Sequence, residues 1–310
     1  MAKLKLLQNE VFGSFNNWWL DDITNQYFDL EMWDPNKTYP QGTLFYLDCT
    51  RVAQNPKQID ELKNLGFRIV IDNLWERDRE PIPDTHKMYC VDWFWYNESL
   101  WYSKLDYQNY VPQKNNLQYL GFMPMWRKKI ERTDFVKRIN CDRLLWSYIE
   151  EGKFLPNDSN IATPTTQRYF NPEWYDSCYM SMVVETIEAY QPEIDCKFTP
   201  TFVTEKTFKP MAFQHPFLVY GDQGTLKLLH EWGFVTYDNL WDESYDSIAD
   251  QSSRRDAIIN LLNSIEIKPH DSETLARLEH NKQRFFDQQL VNSRVIQKVI
   301  EPIINYAETR

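Results

Sequence analysis

The chain has 310 residues and a mass of 37.4 kDa, enough for one large domain or two medium ones at roughly 100–200 residues each. Only 8 residues are glycine, and neither G-x-G-x-x-G nor G-x-x-x-x-G-K-[ST] occurs, which excludes the glycine-rich dinucleotide fingerprint and the P-loop. A formal charge of −11 gives no general attraction to nucleic acid or anionic lipid, whose binding rests on Lys and Arg.

Along the chain, residues 43–50 (TLFYLDCT) read as a strand ending in an acid. A helix follows, with Asn55 as N-cap, Pro56 at its first position, Ile59, Leu62 and Leu65 on one face, and Gly66 as its stop. The apolar run Phe67-Arg68-Ile69-Val70-Ile71 is the next strand, so this stretch predicts a βαβ unit in a parallel sheet. Residues 87–96 (KMYCVDWFWY) read as another strand, which makes the first third a Rossmann-like half. Residues 111–116 (VPQKNN) suit a linker. A second unit opens with a strand at 117–122, followed by helices near 133–139 and 142–150. Strands are expected at 178–184, 200–203, 216–220 and 234–237, and helices at 205–213 and 224–232, the latter stopped by Gly233. Pro210 should kink or shorten its helix, since it removes the bond to the Lys206 carbonyl. From Asp271 the chain reads as helical, interrupted at Pro302. One echo links the halves: LKNLGFRIVIDNLWE (62–76) and LHEWGFVTYDNLWD (229–242) both read as helix end, glycine, strand, then D-N-L-W and an acid. Equivalent loops at two strand ends would follow from this, at the place where parallel sheets hold ligands.

The stretch 201–221 (TFVTEKTFKPMAFQHPFLVYG) carries the most chemistry. Thr204 is a good N-cap, with Glu205 and Lys206 in the first turn of the helix. Free N–H groups and partial positive charge at that end favour a phosphate, and Lys206 adds a full charge. Glu205 can accept hydrogen bonds from a vicinal diol such as a ribose. Together these make a nucleoside-diphosphate site that needs no glycine. Upstream, Arg127, Lys128, Lys129, Arg132, Lys137 and Arg138 form the one basic stretch of an acidic chain. Five scattered cysteines without C-x-x-C fit a reducing compartment, and five histidines without H-E-x-x-H or paired spacing suggest no structural metal site. No apolar run reaches the ~20 residues of a membrane span, and the N-terminus lacks signal-peptide character, so a cytoplasmic protein is expected.

The ordered set of these motifs resembles the C-terminal domain of glycosyltransferases of the α1,3-fucosyltransferase type. The matching residues are Phe202, Val203, Thr204, Glu205 and Lys206, then Pro216-Phe217-Leu218-Val219-Tyr220-Gly221. Residues 181–186 (SMVVET) are similar to the family strand before T-E-K, and residues 117–138, with Arg127 and Arg132, to its arginine loop. The likeness covers roughly residues 117–250; Phe202 stands where a tyrosine is usual, and 231–246 look more like phage and bacterial relatives. It implies an α/β, GT-B-like fold of two Rossmann-like domains facing a cleft. Those domains would span 1–112 (acceptor) and 113–270 (donor), with helical residues 271–310 crossing back onto the first. It implies that Glu205 contacts the ribose, and that Lys206 with Arg127 or Arg132 contacts the diphosphate of a nucleotide sugar.

No cofactor or metal is expected, since D-x-D, the metal-holding pair of the other major glycosyltransferase fold, is absent. An inverting transfer to a hydroxyl needs a base from the first domain. Glu76 is favoured, then Asp72, with Asp48, Asp92 and Glu98 as further candidates. Asp242, Glu243 and Asp246 form an acidic loop able to bind sugar hydroxyls. Trp18-Trp19 and Trp101-Tyr102 are expected to line a groove, and Trp93 and Trp95 to pack in the core. Two alternatives stay open: a non-catalytic carbohydrate- or partner-binding protein on this fold, and a phage DNA-base glycosyltransferase, which the net charge disfavours.

Overall fold

The computed structural model describes residues 3–8, 25–48, 57–72, 85–88, 93–113, 117–125, 128–155, 171–185, 201 and 203–309. It is a mixed α/β structure with two all-parallel sheets, and it divides into two compact units. One unit comprises the described residues within Met1–Leu100 and Asp287–Arg310; the other, those within Trp101–Pro192 and Thr201–Phe286.

The first unit holds strands β1 (Leu4–Gln8), β2 (Phe28–Met32), β3 (Leu44–Asp48), β4 (Arg68–Asp72) and β5 (Thr85–Met88), in the order β2-β1-β3-β4-β5. Helix α1 (Lys57–Asn64) crosses from β3 to β4 as the βαβ pattern requires. Ile59 and Leu62 of that helix meet Leu7, Phe45, Leu47, Ile69 and Ile71 in one core, with the rings of Phe45 and Phe67 5.3 Å apart. Leu6, Tyr46 and Val70 are buried as well, so the sheet is covered on both faces, as continuous apolar strands demand. Leu65 does not join the helix's inner face: it is 63% exposed, because the helix has already closed at Asn64. Asn55 and Pro56 lie outside the described residues. Also in this unit are helices at Gln288–Val295 and Glu301–Glu308, joined without a break by a π-helical turn over Ile296–Ile300, so the chain stays helical through Pro302, with the widened turn directly before it. The Arg68 guanidinium binds the carbonyls of Ala307 and Thr309, and the Tyr306 ring stacks on His86.

Residues 87–96 do not form one strand. The strand ends at Met88, and helix α2 (Trp93–Lys104) begins five residues later. Trp95, Tyr96, Ser99 and Tyr102 of α2 are buried. Aromatic and apolar residues all round a segment suit a core helix as well as a strand, and here the helix wins.

The second unit is built on strands β6 (Tyr119–Met125), β7 (Leu144–Tyr148), β8 (Cys178–Val184) and β9 (Phe217–Tyr220), in the order β7-β6-β8-β9. Residues 142–150, expected as a helix, instead contribute β7, which pairs in register with Gly121–Met125. Leu144-Leu145-Trp146-Ser147-Tyr148 is too short for a core helix, and pairing with a central strand overrides the helix propensity of leucine. Helices α3 (Ile130–Arg138), α4 (Pro172–Asp176), α5 (Glu205–Ala212), α6 (Thr225–Glu231), α7 (Gln251–Ser264) and α8 (Ser272–Phe285) flank this sheet. Thr201 and Val203 are not in a strand, and Phe202 lies outside the described residues. Pro210 sits buried inside α5, which ends two residues later at Ala212, in keeping with the missing bond. The rings of Trp232, Phe234 and Phe285 lie within about 6.2 Å of Phe208, making α5 the centre of the apolar layer.

The echoed sequences share a helix stop. Gly66 and Gly233 both sit at φ above +80°, or at it, and each donates to the carbonyl three residues back, Lys63 and His230. Phe67 and Phe234 then donate to Leu62 and Leu229. This is the glycine-terminated helix end that left-handed backbone allows. Beyond it the copies diverge: Arg68–Asp72 is a strand, whereas 234–237 is irregular, contrary to expectation. An alanine Cβ at position 233 would also lie 2.4 Å from the Arg284 guanidinium, while at 66 the nearest atom is 3.4 Å away. Gly233→Ala should therefore lose roughly 1–2 kcal/mol from the backbone alone. It should lose more than Gly66→Ala in urea unfolding; equal losses would show that Arg284 yields freely.

Among the described residues, no helix is long and apolar enough to cross a membrane.

Candidate functional site

In the second unit the strand order reverses between β6 and β8, because β7 lies to one side and β9 to the other. Open parallel sheets hold ligands in the crevice outside the strand ends at such a point. Glu185 stands there, directly after β8, a strand buried at all seven positions. Its N–H donates to the Tyr220 carbonyl (3.0 Å), which extends the β8–β9 ladder by one bond and fixes the backbone.

The Glu185 side chain is 1% exposed and accepts three hydrogen bonds. Its Oε1 accepts from the Thr204 N–H (2.9 Å) and the Thr207 hydroxyl (2.6 Å), and its Oε2 from the Thr204 hydroxyl (2.6 Å). A buried carboxylate needs such donors, since leaving one unmet costs the full desolvation of the group.

Thr204 is the N-cap of α5, as its sequence position predicts: extended backbone, with Oγ1 accepting from the Lys206 N–H (3.3 Å). The same oxygen accepts from the Lys206 ammonium (3.0 Å), which also bonds Glu205 Oε1 (3.0 Å) and lies 3.9 Å from Glu185 Oε2. Lys206 keeps 24% of its side chain exposed and Glu205 15%, so both are partly accessible to solvent. Burial works against the Glu205 charge, but the ammoniums of Lys206 and Lys209 outweigh it and hold the carboxyl below its ordinary range. Glu205 is thus ionised at neutral pH and acts as an acceptor only.

The second cation comes from α3. Arg132 is buried, and its Nη2 donates to the Glu185 carbonyl at 3.2 Å. Burial lowers its pKa, opposed by the negative charges of Glu185, Glu205 and Glu150 and by Tyr148. The start of α3 is held by the Tyr148 hydroxyl, which accepts from the Lys129 N–H (3.2 Å) and shares a hydrogen bond with Thr133 Oγ1 (3.0 Å). On the outer side of α3, Lys128, Lys129, Ile130, Thr133, Asp134 and Lys137 line an open cavity of about 540 Å³.

The structure therefore brings Thr204, Glu205, Lys206 and Arg132 together. Arg127 and Glu76 lie outside the described residues, as do Asp92 and Trp18-Trp19. Asp72 ends β4 and is the register partner of Asp48 at the end of β3. Glu98 is not a strand-end carboxylate but a buried residue of α2. Tyr102 lines no groove; it is fully buried against Tyr107, Phe213 and Phe285.

The acidic loop of the second unit is engaged locally. Asp242 accepts from the N–H and hydroxyl of Ser244, both at 2.9 Å. Glu243 accepts from the Thr236 hydroxyl (2.5 Å) and the Tyr237 N–H (2.7 Å), and burial raises its pKa. Asp246 accepts from the N–H groups of Leu226 and Lys227, so it occupies the start of α6. None of these described bonds reaches the Thr204–Lys206 cluster.

Buried His215 bridges the Ser181 hydroxyl (2.7 Å) and the Cys178 carbonyl (2.8 Å), a satisfied core position. No group of three or more His, Cys, Asp or Glu side chains able to hold a metal ion occurs among the described residues.

Glu185 is not among the residues that the sequence singles out, although it lies in the SMVVET stretch. A carboxylate closing a continuous apolar run was the available signal for Glu185, because such a residue is carried into the interior and must find donors there. A scan of protein-family models gives no match to the chain, and the curated proteins give none.

Proposed function

We propose that the chain is a glycosyltransferase of GT-B type, moving a sugar from a nucleoside-diphosphate sugar to a hydroxyl acceptor. The observation that carries this reading is the cluster at the strand-order reversal of the second unit. There, a capped helix start, an ammonium, a buried guanidinium and an ionised carboxylate gather around Glu185. A leaving nucleoside diphosphate develops negative charge, and Lys206 with Arg132 would meet it with fixed cations. Glu205, ionised and partly exposed, would accept from the ribose hydroxyls. The order β7-β6-β8-β9 is 2-1-3-4 in chain order, a doubly-wound parallel arrangement with its switch point between β6 and β8, where nucleotides bind in such sheets. This reading takes the general base from the first domain, Glu76 or Asp72, of which Asp72 ends β4, and the sequence's lack of D-x-D favours transfer without a bound metal.

A thermal-shift series with UDP, GDP, CDP, dTDP and their sugars tests this. One of them should raise the unfolding midpoint, because a ligand at 100 times its Kd adds about 2.7 kcal/mol to the folded state. A flat series across all of them would reject the nucleotide site. Binding without sugar turnover in the presence of hydroxyl acceptors would leave a non-catalytic carbohydrate-binding protein.

A further inference from the structure

Two carboxylates flank Lys206, and their surroundings differ. Glu185 is 1% exposed, tied by its backbone to β9 and by its carboxylate to three donors from Thr204 and Thr207. Glu205 keeps 15% of its side chain exposed and bonds the Lys206 ammonium. Moving Glu185 would break three charge-assisted bonds inside the protein; moving Glu205 breaks one that water can replace.

We infer that Glu185 is the positioning residue of this site, holding Thr204 and through it the mouth of α5 and the Lys206 ammonium. Glu205 is the carboxylate that gives up the ammonium when a diphosphate arrives. The first-turn N–H groups and the cation are then already aimed before a ligand binds, and little ordering is left to the binding step. Glu185 touches no ligand in this arrangement; it acts through Thr204. The inference rests on the nucleotide-site reading above, although the link between Glu185 and Lys206 can be measured without any nucleotide.

Charge and position make opposite predictions here, which gives the test its force. Glu185→Gln removes a negative charge from beside a phosphate site, so electrostatics alone would tighten anion binding. Gln also presents an N–H₂ group where the Thr204 hydroxyl needs an acceptor. Titration calorimetry with GDP and UDP should show binding weakened ~10-fold, the equivalent of about 1.4 kcal/mol. Glu185→Asp keeps the charge but withdraws it by one methylene, and should weaken binding similarly.

In parallel, acetic anhydride labelling followed by peptide mass spectrometry should show Lys206 acetylated several-fold faster in both variants than in the unmodified chain, with Lys209 as the internal reference. Tighter or unchanged binding in Glu185→Gln, or an Asp variant that binds as well as the original, would overturn the proposal. So would unchanged Lys206 labelling. If the Glu185 variants do not fold, Thr207→Val carries the test. It removes one donor of three and should weaken binding by a smaller factor, and no change would count against the proposal. If the unmodified chain binds neither GDP nor UDP while Lys206 labelling still responds to Glu185, the nucleotide reading fails and the positioning link stands.

Discussion

Thr204→Val should destabilise the second unit by roughly 2–4 kcal/mol, the sum of a hydrogen bond to a buried charge and a helix cap. Valine keeps the shape but loses the hydroxyl, which donates to Glu185 and accepts from both the N–H and the ammonium of Lys206. The carboxylate it leaves behind is too buried for water to compensate. Urea unfolding followed by the fluorescence of Trp174 and its neighbours should show a lower midpoint at unchanged slope. Thr204→Ser retains the hydroxyl and should recover most of the loss. A Val variant within ~0.5 kcal/mol of the original, the range of ordinary surface changes, would mean that the cap and the carboxylate are not one unit.

Lys206→Ala should separate binding from stability. Its ammonium is partly exposed, and its partners Glu205 and Thr204 stay on the same turn, so after solvent screening the folded state should lose less than ~1 kcal/mol. Binding of the nucleoside diphosphate should fall roughly 10–100-fold, because a charge-assisted bond to phosphate contributes about 1.5–3 kcal/mol. Calorimetry on the nucleotide selected by thermal shift reads the loss of binding, and urea unfolding the change in stability. Normal binding in this variant would remove Lys206 from the phosphate site. A large stability loss with it would instead make the residue a structural counter-ion for Glu185.

Much of this was legible in the sequence, for reasons that can be named. The β3–α1–β4 crossover was readable because an apolar run, an amphipathic turn and a glycine stop follow one another with no competing pattern. The T-E-K helix was readable because Thr204 is a strong cap with charged residues directly behind it. The misread segments are those in which pattern and propensity conflict. Trp93-Phe94-Trp95-Tyr96 has strand propensity but is helical, with Trp95 and Tyr96 buried. Leu144–Tyr148 contains helix formers but is captured by a central strand. The site was only half visible. Cap and ammonium are local features, whereas the contact of Arg132 with Glu185 spans 53 residues and depends on which strands become neighbours.

After Gly233 the backbone runs irregularly, and a side chain takes the place of a neighbouring strand. Asn281 of α8 accepts from the Val235 N–H and donates to the Val235 carbonyl, both at 2.8 Å. One amide side chain thereby satisfies both backbone groups of a residue, as a neighbouring strand would. On β9, which ends the sheet, the Tyr245 hydroxyl accepts from the Val219 N–H at 3.4 Å. Exposed strand edges recruit other chains into continuous ladders, the first step of ordered aggregation. β9 is itself buried at every position, so this edge is covered from within the unit, and the Tyr245 hydroxyl and the Asn281 amide take up bonds that a neighbouring strand would otherwise make at Val219 and Val235.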